Sequence, residues 1–263
     1  MGRLASAWRK LERGKSHIDT LSEEILDKWA QRIADNPPFD INVEADNKAG
    51  CLVIRVRNVE SLPALWPLIV GDALGNFRSV LDHAAWQMVQ AGSKPGVAPE
   101  DVYWPIQIDT NTARLAGRYA HRLPGVDHKH LAVLDASQPY KQGAAAASHP
   151  LAVLSELSRV DKHRDIVVLI GREKRYNLHF DFRHFAVERQ EAPPSDTILL
   201  IREDAELGRI WGRRTGPEDP EVKVGPVEGS LVVAFGDGTD VLNVLDGMTK
   251  ELTGILKKLE ALL

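Results

Sequence analysis

The stretch from Leu65 to Val89 constrains this chain most. Pro67 suits a first helical turn. At about 100° per residue, Val70, Leu74, Phe77, Leu81, Ala84 and Met88 then fall on one apolar stripe. A stripe of that length needs a partner surface, so the chain must build a helical core around it. The opposite side carries Asp72, Asn76, Ser79, His83 and Gln87, and Arg78 and Asp82 flank that line, four apart. Solvated helix faces are usually rich in Lys and Glu. This face has neither, and instead presents short hydrogen-bonding groups and an imidazole, which makes it the first candidate for a working surface.

The rest of the chain can supply that core. Its 263 residues suffice for one large domain or two small ones. The net charge of -4 argues against coating nucleic acid through bulk charge, although local basic patches such as Arg209 to Arg214 remain. Cys51 is the only cysteine, which excludes an intrachain disulfide and a cysteine-rich zinc site. The segment Met1 to Glu12 is polar and basic, and no apolar run approaches the roughly 20 residues needed to span a bilayer. The expectation is a cytoplasmic protein without a membrane partner.

In chain order, Leu4, Leu11, Ile18 and Ile25 recur every seven residues and predict an amphipathic helix over 3–34, weakened at Gly14 and closed by Asn36-Pro37-Pro38. Alternation at Ile41, Val43, Ala45 and at Leu52, Ile54, Val56, with Asn47 to Gly50 between, predicts a hairpin. After the long helix come an extended stretch Val102 to Ile108, short helices at 112–122 and from Asp127 to Leu134, and a small-residue linker at 141–148. A further helix opens at Pro150. The run Ile166 to Ile170 fits a helix extension or a strand. From about 176 the period becomes two, with strands expected at 178–183, 198–201, 208–213, 221–224 and 230–235. Val241, Leu242, Leu245, Met248, Leu252, Ile255, Leu256 and Leu259 give a closing helix. The fold class is α+β: a helical bundle with an inserted hairpin, a mostly antiparallel sheet and a C-terminal helix. We expect one domain over 1–263, with a helical region over 1–170, a sheet region over 176–238, a closing helix over 240–263 and a soft boundary near 171–176.

Arg78-Ser79-Val80-Leu81-Asp82-His83 resembles the Arg-x4-His signature of HEPN domains, many of which are metal-independent ribonucleases. The resemblance implies a helical, often dimeric protein acting on RNA. Arg78 would bind or polarise a phosphate, His83 would be the acid or base for attack by the ribose 2′-hydroxyl, and Ser79 takes the family's polar position. The chemistry suits the residue types, because guanidinium matches phosphate with two parallel hydrogen bonds and imidazole titrates near neutral pH.

Two longer segments, Gly71 to Trp86 and Leu157 to Arg164, resemble a bacterial group defined by that pair, a likeness that carries no activity. It implies that the two helices meet, gathering Asp72, Asn76, Arg78, His83, Glu156, Arg159 and His163 around one cavity. Arg78, Asp82, His83 and His163 are the catalytic candidates. Asp72, Asn76, Ser79, Glu156, Arg159 and Arg164 are the substrate-binding ones. No cofactor is required by this chemistry. The alternative is a small-molecule hydrolase using a divalent metal on Asp72, His83, Glu156 and His163. A third reading is a non-catalytic regulatory module whose polar line closes a homodimer.

Overall fold

A computed structural model describes residues 2–29, 36–92, 96–109, 119, 121–164, 166–172, 177–191, 199–218, 221–228 and 231–263. The chain divides into two compact units. One comprises Met1–Ser22, Leu65–Ile166 and Leu242–Leu263, and the other Glu23–Ala64 and Val167–Val241.

The first unit is helical. Its elements are α1 (Ala5–Glu23), α2 (Leu65–Gln90), α3 (His128–Ala136), α4 (Pro150–Asp161) and α5 (Val241–Glu260). The apolar stripe of α2 is fully buried: Val70, Leu74, Phe77, Leu81, Ala84 and Met88 are 0% exposed. Ala73, Val80 and Ala85 widen it, so α2 is the central helix; its polar side reaches the surface, as do Leu65 and Leu68 in its first turn. On α5, Leu245, Met248, Leu252, Ile255, Leu256 and Leu259 are buried as their spacing predicts.

Two glycines set close helix approaches. A Cβ at Gly14 would stand 2.7 Å from Cδ1 of Phe77, and one at Gly71 would stand 2.5 Å from Oδ1 of Asp161. The first lets α1 lie against α2. The second lets the end of α4 lie against α2.

Local chemistry starts and stops these helices. The Asp127 side chain accepts from Lys129 N (3.0 Å) and caps α3. His149 caps α4 with Nδ1, which accepts from Leu151 N at 3.2 Å, and Pro150 follows at the first helical position. The segment expected to be a linker, 141–148, is 3-10 helical within Pro139–Ser148. Its four successive alanines favour helix, and Gly143 at φ 56° kinks it. The first helix is also shorter than expected: after Glu23 it continues as a π-helical turn, Glu24–Trp29, and residues 30–35 lie outside the described set. Most of the helix expected at 112–122 lies outside it too.

The second unit is built from antiparallel strands. β1 (Asp40–Asp46) and β2 (Cys51–Arg57) form the hairpin. Asp46 Oδ1 accepts from Lys48 N and Ala49 N and folds its turn, with Gly50 at φ 64°. β3 (Val168–Arg172), β4 (Asn177–Arg183), β5 (Phe185–Glu191), β6 (Leu199–Leu200), β7 (Glu206–Arg214), β8 (Glu221–Glu228) and β9 (Leu231–Phe235) follow. Hydrogen bonding orders them as β1-β2-β7-β5, β6-β3-β9 and β4-β8.

Two expectations change here, and one open choice is settled. The hairpin pairs with β7, so it belongs with the strands rather than to a helical region over 1–170. The run Ile166 to Ile170 is strand from Val168, because α4 has already ended at Asp161. Strand β5 lies between two expected strands where no alternation announced it. His184 at φ 57° turns the chain there.

The arginines of the basic stretch 209–214 have partners within this unit. Arg209 pairs with Glu206 (2.7 Å), Arg213 faces Glu188 (3.9 Å), and Arg214 donates to the Glu218 and Pro217 carbonyls. Arg189 stacks on Trp211 and pairs with Glu191.

Candidate functional site

The polar side of α2 does not act as one line. Asn76 donates to the Asp72 carbonyl (2.8 Å), and Ser79 donates to the Gly75 carbonyl (2.8 Å). Each side chain therefore places a donor on its own helix.

Arg78 and Asp82 do something different. Arg78 Nη2 donates to Asp82 Oδ1 (3.0 Å) and to the Trp104 carbonyl (2.7 Å), while Trp104 N donates to the same Asp82 oxygen (3.0 Å). The ion pair thus satisfies both backbone groups of Trp104, in an extended segment that has no sheet partner among the described residues. The far end of that segment is fixed by Gln138, 1% exposed. Its Oε1 accepts from Gln107 N (2.8 Å), and its Nε2 donates to the Pro105 carbonyl (3.1 Å). Residues 104–107 are clamped between α2 and the end of α3.

This clamped segment forms one wall of a cavity of 460 Å³. Tyr103, Trp104, Pro105 and Ile106 supply an aromatic and apolar side. Ser155, Ser158, Arg159, Lys162 and His163 supply a polar side from α4, with Glu156 and Arg78 at the margins. Glu156 and Arg159 form a two-point pair at 2.6 and 2.9 Å on the exposed rim. Among the described residues Lys162 and His163 make no ion pair. Arg78 is paired with Asp82 and Arg159 with Glu156, so among the described residues Lys162 is the lining cation without an ion pair. That one charge favours an anion.

A second cavity, of 400 Å³, runs along the small residues of α2. Lys10, Asp72, Asn76, Ser79 and Asp161 line it with Leu68, Gly71 and Gly75.

The single shared cavity expected from the sequence is therefore not what forms. Arg78, Glu156, Arg159 and His163 line one cavity, and Asp72, Asn76 and Ser79 line the other. His83 and Arg164 line neither. A 100° step separates residues five apart on α2 by about 140°, which turns His83 away from Arg78. His83 is half-buried. Burial lowers its pKa, Lys10 and Arg9 lower it further, and Asp82 opposes them. The metal set Asp72, His83, Glu156 and His163 is likewise dispersed. Among the described residues no group of three His, Cys, Asp or Glu side chains is placed to hold a metal ion. Of the neighbouring pair His128 and His130, the first is exposed. The second is buried, with Nε2 3.4 Å from the Leu262 carbonyl.

Sequence reasoning missed Tyr103, Trp104, Ser155, Ser158 and Lys162 as site residues. The available signal was the aromatic pair followed by Pro105, an extended stretch too short and isolated for an ordinary strand.

The cap of α4 carries a pH dependence. His149 is 9% exposed, and burial lowers its pKa against the raising effect of Glu251. Its Nδ1 can accept from Leu151 only while unprotonated. A folded pKa below the ordinary 6.5 means that the unfolded chain binds this proton first as pH falls. The stabilising contribution is complete above 6.5 and is lost as pH falls through the folded value. Urea midpoints at pH 7.5 and 5 are expected to show an acid loss of about 1 kcal/mol in the wild type that His149→Asn, a non-titrating cap, removes.

Among the described residues no helix is long and apolar enough to cross a membrane. No family model, curated protein or solved structure matches the chain.

Proposed function

We propose that the protein binds a small anionic substrate, a phosphate ester, in the cavity between residues 103–106 and α4, and hydrolyses it with His163 as the acid–base group. One observation carries this reading. The cavity sets the half-buried Tyr103 against α4, where Lys162 makes no ion pair among the described residues and the imidazole of His163 is exposed beside it. Imidazole is the side chain best suited to proton transfer near neutral pH, and a guanidinium or ammonium stabilises charge developing on phosphoryl oxygens. In this reading Arg78 shapes the site as one half of the clamp, and Lys162 and Arg159 meet the anion.

The HEPN-like ribonuclease reading is the second, and the surroundings of His83 favour it. Lys10 and Arg9 place cations near an imidazole whose lowered pKa keeps it neutral, ready to take a proton. Those cations would hold the RNA phosphate in place of Arg78, and a second copy of the chain would complete the site as the family resemblance implies.

The two readings separate by histidine. Hydrolysis of bis-p-nitrophenyl phosphate and of an unstructured RNA is measured in EDTA. Under the first reading His163→Ala is expected to lower the rate at least a hundredfold, as loss of an acid–base group does, and His83→Ala to leave it intact. The reverse pattern on the RNA, which unlike bis-p-nitrophenyl phosphate carries an attacking 2′-hydroxyl, overturns the first reading and supports the second. Unchanged rates in both variants overturn both. Thermal melts of the two variants check that the fold survives.

A further inference from the structure

We infer that Gln138, which does not line the α4 cavity, sets how tightly that cavity grips the organic part of its ligand, by acting as the positioning residue for Ile106. This rests on reading the cavity as the site of an anion that carries an organic group.

Of the wall residues 103–106, Tyr103 and Ile106 are half-buried on the cavity, whereas Trp104 is 0% exposed. A ligand therefore meets the wall through Tyr103 and Ile106. The wall is extended backbone without a sheet partner among the described residues, so its peptide groups must be met in some other way. Gln138 meets the two that flank Ile106. The carbonyl of Pro105 belongs to the peptide before Ile106, and it accepts from Gln138 Nε2 at 3.1 Å. The N–H of Gln107 belongs to the peptide after Ile106, and it donates to Gln138 Oε1 at 2.8 Å. Two planar groups held in place leave the φ and ψ between them little freedom. One side chain thus fixes the direction of the Ile106 Cβ. The Gln107 carbonyl accepts from Tyr140 N (3.1 Å), two residues beyond Gln138, which ties down the same stretch again.

The grip works in one orientation only. Nε2 also donates to the Leu134 carbonyl (3.1 Å), so the amide's donors face carbonyls and its acceptor faces an N–H. Turning the amide over would set its oxygen against two carbonyls and its nitrogen against an N–H. Gln138 is 1% exposed, so water does not compete for these bonds.

Calorimetric titration of the full chain with methylphosphonate and with phenylphosphonate tests this, since the two anions differ in the group that meets the wall. Phenylphosphonate is expected to bind the wild type about tenfold more tightly or better, as burial of part of an aryl ring gives. Gln138→Met keeps the bulk and neither hydrogen bond. It should remove most of that advantage and leave methylphosphonate affinity unchanged. A merely structural loss would lower the fraction of competent chains, hence the stoichiometry, and leave the affinity ratio alone. Ile106→Ala should remove the advantage likewise, and adding Gln138→Met to it should cost little more, because the two act through one contact. Gln138→Glu, a second variant should the first not fold, keeps the acceptor and, when its carboxyl is protonated, one donor. Its advantage at pH 5.5 should exceed that at pH 8, with the wild type as control at each pH. An unchanged advantage in Gln138→Met, equal losses for both anions, additive losses in the double variant, or no pH effect in Gln138→Glu overturns the inference and leaves the anion site standing. So does a wild type that binds both phosphonates equally. A wild type that binds neither overturns both.

Discussion

Asp82→Ala is expected to lower the stability of the protein by about 2 kcal/mol. One carboxylate oxygen accepts from Arg78 and from Trp104 N, both at 3.0 Å. Hydrogen bonds to a charged group contribute roughly 1.5–3 kcal/mol each. The pair is 22% and 34% exposed at its two side chains, so solvent screening takes some of that away. The substitution also strands a buried backbone N–H and a guanidinium, which is why the loss exceeds that of a surface pair. Asp82→Asn keeps an acceptor for Trp104 and should lose about half as much. Urea unfolding at constant slope gives both values. The same substitution frees the aromatic wall, so ligand affinity should fall in Asp82→Ala by more than in Asp82→Asn. Equal, small losses in the two variants would show that the clamp does not hold the segment.

Alanine at two glycines should move stability in opposite directions. Gly14→Ala gains about 1 kcal/mol of helix propensity but forces a methyl into the Phe77 ring, which is 0% exposed and has nowhere to go. Overpacking costs about 1–3 kcal/mol, so a net loss of up to about 2 kcal/mol is expected. Gly75→Ala meets nothing within 4 Å and should gain up to about 1 kcal/mol. Phe77→Leu opens space opposite Gly14, so the double variant should lose less than the sum of the two single ones. Additive losses would place the strain elsewhere.

The elements with a long, clean period were legible in the sequence. Six apolar positions on α2 and six on α5 are buried as their spacing requires, and the Asp127 cap and the hairpin turn sit where their residue types put them. What failed to show has a physical cause in each case. Pro139–Ser148 carries no apolar period, so its helicity comes from short-range propensity alone. β5 is mostly exposed and polar, and its pairing with β7 is all that makes it a strand. The site was half legible. Arg78 and Asp82 stood out because they matter, but their partner is a backbone 26 and 22 residues away, which no spacing rule on one helix reveals. Asn76 and Ser79 looked like a working surface. A sequence cannot say that a hydroxyl or amide has turned back to its own helix.

The placement of β2 in its sheet has a consequence during synthesis. Arg55 donates to the Asp204 carbonyl across 149 residues of chain, and Leu52 meets Ile210 on the same edge. At about 5–20 residues per second, the ribosome needs roughly 8–30 s to deliver β7 after β2 has emerged. Until then one side of β2 keeps its N–H and C=O groups open to other chains. A nascent hairpin left waiting that long is where a chaperone would be expected to bind first.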